Sequence, residues 1–143
     1  MNLELSLVPI GHVSNAIPAL IKYLEESAAW SNGRAKVDDI LRFILVGQMH
    51  LWMVFSPEEQ KVYGHIITEV KQYPQCKMLV IQYAAMTPNH MVEIEDLMQQ
   101  YAKDYAVRAG CNGIEFIGRP GWKKHAEHYG YTAQSVMYQR FFE

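Results

Sequence analysis

The stretch "CKMLVIQYAAMTPNHMVEIEDLMQQYAKDYAVRAGCNGIEFIG", Cys76 to Gly118, limits the fold more than any other part of the chain. Met78 to Ile81 is apolar at successive positions, so both faces of that segment need covering, as in a strand inside a sheet. Thr87-Pro88-Asn89 reads as a helix start, with proline in the first turn and a capping side chain on either side of it. Ile94, Leu97, Met98, Tyr101 and Tyr105 then recur at helical spacing and predict an amphipathic helix that ends at Gly110. "GIEFIG" reads as a short strand. Two strands joined through a long helix are most simply parallel neighbours, so the region predicts a β-α-β unit at the centre of the domain.

The rest of the chain must supply covering layers for that centre. "LELSLV" (Leu3 to Val8) alternates at period two and predicts a strand stopped by Pro9 and Gly11. Val13, Ile17, Leu20, Ile21 and Leu24 predict a helix, with Pro18 tolerable only near its first turn, and "SNGR" breaks it. A second helix runs from Val37 to about Val46 and stops at Gly47. "HLWMVF" and "KVYGHIITEV" flank the polar connection Ser56 to Gln60 and predict two adjacent antiparallel strands. After the "GIEFIG" strand, Pro120 to Tyr129 predicts a short helix stopped by Gly130, and "TAQSVMYQRFF" a closing strand. The expected order is β-α-α-β-β-β-α-β-α-β, an α/β (α+β) fold with a mixed, mostly antiparallel sheet flanked by helices.

With 143 residues, half of them hydrophobic, and no low-complexity or linker segment, the chain is expected to form one domain spanning 1–143. A formal net charge of -2 argues against duplex DNA as a partner. No apolar run approaches the roughly 20 residues needed to span a bilayer, and no basic stretch precedes the first apolar residues, so a cytoplasmic location is expected. Cys76 and Cys111 form no CxxC pair and read as free buried thiols. The six histidines show no metal-ligand spacing, so no metal is expected.

The element order, the buried "MLVIQYAAM" strand feeding a long helix, and the "AEHYGY" ending of the last helix together resemble the GCN5-related N-acetyltransferase superfamily. The corner "IEFIGRPGW" looks particularly like small proteins of that fold from tailed bacteriophages. The resemblance implies acetyl-CoA as cosubstrate, bound after the fourth strand by a glycine-rich loop whose N–H groups approach the pyrophosphate at a helix N-terminus. The corresponding stretch here, Ala84 to Met91, has neither glycine nor arginine, and Pro88 lacks an N–H. The family's acid tyrosine falls one turn before the glycine ending the last helix, where this chain has Ala126.

Within that frame Glu69, late in the third strand, is the candidate general base, and His65, on the same face at period two, its candidate partner. Gln82, Tyr83 and Ala85 in the fourth strand and Asn89 at the helix start are the candidate cofactor contacts. Gly118 and Pro120 read as architectural. Arg119 lies where open α/β sheets bind ligands, with a guanidinium suited to phosphate; pairing with Glu115 is its alternative. Trp122 reads as a core residue next to that corner and counts among the candidate cofactor contacts. Two functions stay open. One is an acyl-CoA-dependent N-acyltransferase with a degenerate pyrophosphate loop, acting on a small-molecule or protein amine. The other is a non-catalytic phage accessory or virion-associated protein, in the host cytoplasm or the particle, that binds a protein partner. A homodimer through the closing strand is left open with both.

Overall fold

In a computed structural model, which describes residues 2–142, the strands form one five-stranded sheet in the order β1-β2-β3-β4-β5. They are β1 (Glu4–Leu7), β2 (His50–Ser56), β3 (Lys61–Gln72), β4 (Lys77–Met86) and β5 (Gly113–Phe116). All neighbours are antiparallel except β4 and β5, which run parallel on either side of the long helix as the sequence predicts. The helices are α1 (Val13–Trp30), α2 (Val37–Leu45), α3 (Met91–Arg108) and α4 (Lys123–His128). Single 3-10 turns precede α1, α3 and α4.

The sheet is covered on both faces. On one, Val13, Leu20 and Leu24 of α1 and Ile40 and Ile44 of α2 pack on Leu51, Ile67 and Ala85. On the other, Ile94 and Met98 of α3 pack on Leu5, Trp52, Val54 and Ile66, while Ala102 and Ala106 close over Leu79. Pro18 lies inside α1 rather than near its start; its missing N–H is tolerated where the flanking residues bury a continuous apolar face. At the start of α2 the Asp39 carboxylate accepts the Lys36 backbone N–H at 2.9 Å. The α3 start has no side-chain cap: neither Thr87 nor His90 caps it, and the chain enters through the turn Pro88–His90. Lys77 then ties α3 to the sheet, its ammonium donating to the Ala109 carbonyl at 2.7 Å while its backbone N–H donates to Asn112 at 2.9 Å.

One inserted residue interrupts the β2–β3 pairing and another the β3–β4 pairing. Val54 pairs with Gly64 and Phe55 with Val62, so Tyr63 is an inserted residue in β3. Gly64 is needed there because a Cβ would lie 2.4 Å from the Ala85 carbonyl oxygen. The second insertion is Gln82 in β4, between the Ile67–Tyr83 and Thr68–Ile81 pairs. It explains why Leu79 and Ala84, five positions apart, both face the α3 layer, which strict period-two alternation forbids.

The closing strand is absent. Residues 131–142 belong to no sheet. The apolar residues come in adjacent groups, Val136-Met137-Tyr138 and Phe141-Phe142, so no single face of an extended segment collects them. All five side chains are exposed. The segment is held by the Tyr131 backbone N–H, which donates to the Ala126 carbonyl at 3.0 Å, and by side chains: the Tyr131 hydroxyl donates to Gln99 at 2.6 Å, its ring rests edge-on against Phe116, and Arg34 donates to Gln139 at 3.0 Å. The two cysteines are free and half-buried rather than buried.

Candidate functional site

β4 is paired with β3 along its whole length to Met86, but with β5 only from Met78 to Ile81. The partnership with β5 ends at the residue before the Gln82 bulge. From Gln82 to Met86 the β4 edge that faces away from β3 therefore has no strand beside it, which leaves backbone N–H and C=O groups open to an extended ligand.

Glu69 sits at the point of divergence. It pairs across the sheet with Val80 and faces the same side as Ile67, towards α1 and α2. Its side chain is almost fully buried yet touches no cation among the described residues: Gln82 donates to one carboxyl oxygen at 3.0 Å, and Gln48, from the turn between α2 and β2, donates to the other at 3.4 Å. The inserted residue that marks where the two strands part is thus also the residue that holds the carboxylate. Each oxygen accepts one amide and keeps acceptor capacity for an incoming proton donor.

The sequence places His65 on the same face, and it is there, but it does not act on Glu69. Its Nε2 lies 3.0 Å from Ser27 Oγ and 3.3 Å from the Tyr23 carbonyl oxygen, both on α1, and the ring is 0% exposed. Burial lowers its pKa from 6.5 to about 4, against the opposing effect of the Tyr23 carbonyl, so it is a neutral group of the α1 interface. The proposed His65/Glu69 pair is not formed.

Of the candidate cofactor contacts, Gln82 serves Glu69, Ala85 is buried under α1 and α2, and Tyr83 is half-buried beside them, with its pKa raised by burial and then by Asp39. Their backbone remains available along the open edge. Asn89 is exposed in the turn before α3 and caps nothing. Arg119 makes no ion pair with Glu115, which accepts the Tyr73 hydroxyl at 2.5 Å. Its guanidinium carbon stacks instead 3.8 Å from the centre of the Trp30 ring, at the end of α1. Trp122 is half-buried, lining a small cavity with Met98, Phe116 and Ala126, and Gly118 leaves room for it: a Cβ there would meet the Phe116 ring at 3.0 Å.

The chain superposes along its length on several solved structures. The glucosamine-6-phosphate N-acetyltransferase of Arabidopsis thaliana superposes with a TM-score of 0.70 at 11% identity, with 100% of each chain covered. The ribosomal-protein-alanine N-acetyltransferase of Brucella melitensis biovar Abortus 2308 gives 0.71 at 12%, over 99% of this chain and 100% of that one. An acetyltransferase of Trypanosoma brucei gives 0.72 at 9%, over 99% and 100%. The fold is that of the GCN5-related N-acetyltransferases. No protein-family model matches the sequence, and no curated protein matches it either.

The start of α3 is acidic. The first turn carries Glu93, with Glu95 and Asp96 following, and no lysine or arginine. Tyr129, beside the last helix, donates its hydroxyl to Asp96, and its pKa is raised far above the usual range by burial and by that bond. Two contributors escaped the sequence reading: Gln48 and Trp30. Each acts on a residue distant in sequence, and no local pattern marks such a partner.

Proposed function

We propose that the chain is an acyl-CoA-dependent N-acyltransferase-like protein in which Glu69 accepts the proton of an acceptor amine and the open β4 edge receives the pantetheine arm of the thioester. The observation that carries this reading is the coincidence, at Gln82, of the end of β5 pairing and the anchoring of Glu69. Pantetheine is extended and carries two amide groups, so it suits a free strand edge in the way an added peptide strand does. The diphosphate fits less well: Ala84 to Met91 offers no glycine, Pro88 offers no N–H, and the acidic residues of α3 oppose a phosphate there. Affinity then rests on the edge and the arm rather than on a phosphate cradle.

When bound, acyl-CoA supplies the thioester carbon that the amine attacks. The chain's own contribution is at Glu69. Gln48 and Gln82 fix the direction of its carboxylate, and its burial excludes the water that would compete for the amine proton. No acid is assigned to Tyr129, since a hydroxyl with a raised pKa yields its proton less readily. The test is acyl transfer from acetyl-CoA to a panel of amines, small molecules and peptide N-termini among them. Glu69→Gln should lower kcat by about 10²- to 10⁴-fold, the usual contribution of a general base; activity that survives the substitution overturns the assignment.

A second reading is favoured by the same acidic α3 start and by the exposed apolar residues of 136–142. It is a non-catalytic protein of this fold, of the bacteriophage accessory or virion-associated kind that the "GRPGW" corner resembles, binding a protein partner. It predicts no response to any thioester.

A further inference from the structure

After α4 the chain passes from one helix layer to the other. At Tyr131 it is tied to the α3 side: the backbone N–H donates to the Ala126 carbonyl at 3.0 Å, the hydroxyl donates to Gln99 of α3 at 2.6 Å, and the ring lies edge-on against Phe116, the last residue of β5. At Gln139 it reaches the opposite layer. There Arg34, in the turn between α1 and α2, donates to the Gln139 side chain at 3.0 Å, with the Met137 sulfur 4.0 Å from the same guanidinium nitrogen. Because α3 and the α1–α2 pair cover opposite faces of the sheet, residues 131–139 pass from one face to the other.

The crossing falls beyond the end of β5. Phe116 pairs with Ile81, the residue before the Gln82 bulge, and Arg119, three residues further on, meets Trp30, four residues before Arg34. That is where the β4 edge from Gln82 to Met86 has no strand beside it. Helices about 10 Å across place the axes of the two layers about 20 Å apart, and the eight steps from Tyr131 to Gln139 reach at most about 28 Å. The segment therefore crosses with little slack and cannot also run along β5. Its two ends are unequally held. Tyr131 is half-buried and fixed by backbone, hydroxyl and ring, whereas Gln139 is exposed and held through one exposed arginine; among the described residues no backbone group of 132–142 bonds to the body.

We propose that residues 131–139 are a strap across the mouth of the gap between β4 and β5, hinged at Tyr131 and released at Gln139, and that an extended ligand reaches the β4 edge when the Gln139 end lets go. Only the identity of that ligand, a pantetheine arm, rests on the acyltransferase reading.

The test follows the backbone amides of the full chain by NMR while a neutral nitroxide is added, since its unpaired electron broadens the amides it can approach. Arg34→Ala and Gln139→Ala, both at exposed positions, should each raise the broadening of gap-facing amides within residues 82–86 at least twofold and leave those of β1 unchanged. Acetyl-pantetheine should associate with both variants severalfold faster than with the unaltered chain. Equal broadening in all three proteins overturns the strap, and broadening that rises while association rates stay equal overturns its control of access. If broadening rises but acetyl-pantetheine binds none of the three, the strap stands and the acyltransferase reading falls.

Discussion

The guanidinium carbon of Arg119 lies 3.8 Å from the centre of the Trp30 ring, joining the corner after β5 to the last residue of α1. The arginine that the sequence offers as a phosphate ligand stacks the face of its guanidinium on an aromatic ring, and its N–H edge stays available. A contact of this kind at a largely exposed site contributes about 0.5–1 kcal/mol. Arg119→Ala and Trp30→Ala should each lower Tm by a few degrees, and the double variant should lose less than the sum of the two. Additivity in that cycle would mean the stack holds nothing together.

His65 makes stability depend on pH in a predictable direction. Its folded pKa, about 4, is below the unfolded value of 6.5, so between those limits the unfolded chain binds more protons. Stability is fully present above pH 6.5 and is lost as pH falls towards 4, by on the order of 3 kcal/mol at 1.36 kcal/mol per pKa unit. Urea unfolding from pH 7.5 to 4 should show the decline, and His65→Gln should flatten it. An equally steep decline in the variant would assign the effect to other groups.

Deleting residues 133–143 should leave the domain intact. Within the described residues of that segment, the contact that reaches the body is the Arg34–Gln139 hydrogen bond with its neighbouring Met137 sulfur, both at exposed side chains. Tm should change by no more than about 2 °C, since surface contacts of this kind contribute within about 0.5 kcal/mol. A large fall would mean the segment completes the sheet in solution.

How far this was legible in the sequence depends on the range of the interactions involved. The β4-α3-β5 unit was readable because periodicity and turn residues are local, and so was the sheet hairpin around Ser56 to Gln60. The closing strand was not: "TAQSVMYQRFF" has strand-forming residues, but Val136-Met137 and Phe141-Phe142 break the alternation that a one-sided strand needs. Glu69 was singled out by its place late in β3. Its holders, Gln48 and Gln82, depended on an inserted residue in β4 that a single sequence does not mark. His65 shared the right face, and burial against Ser27 decided its role instead.

The central claim is that the β4 edge from Gln82 to Met86 receives a thioester arm, and backbone hydrogen exchange across that segment tests it most directly. Acetyl-pantetheine, which lacks the diphosphate, should slow exchange of amides within residues 82–86 as strongly as acetyl-CoA does at equal saturation, and with comparable affinity. Protection confined to the start of α3, or seen only with acetyl-CoA, would contradict the account, and no protection with either compound would leave the non-catalytic reading in its place.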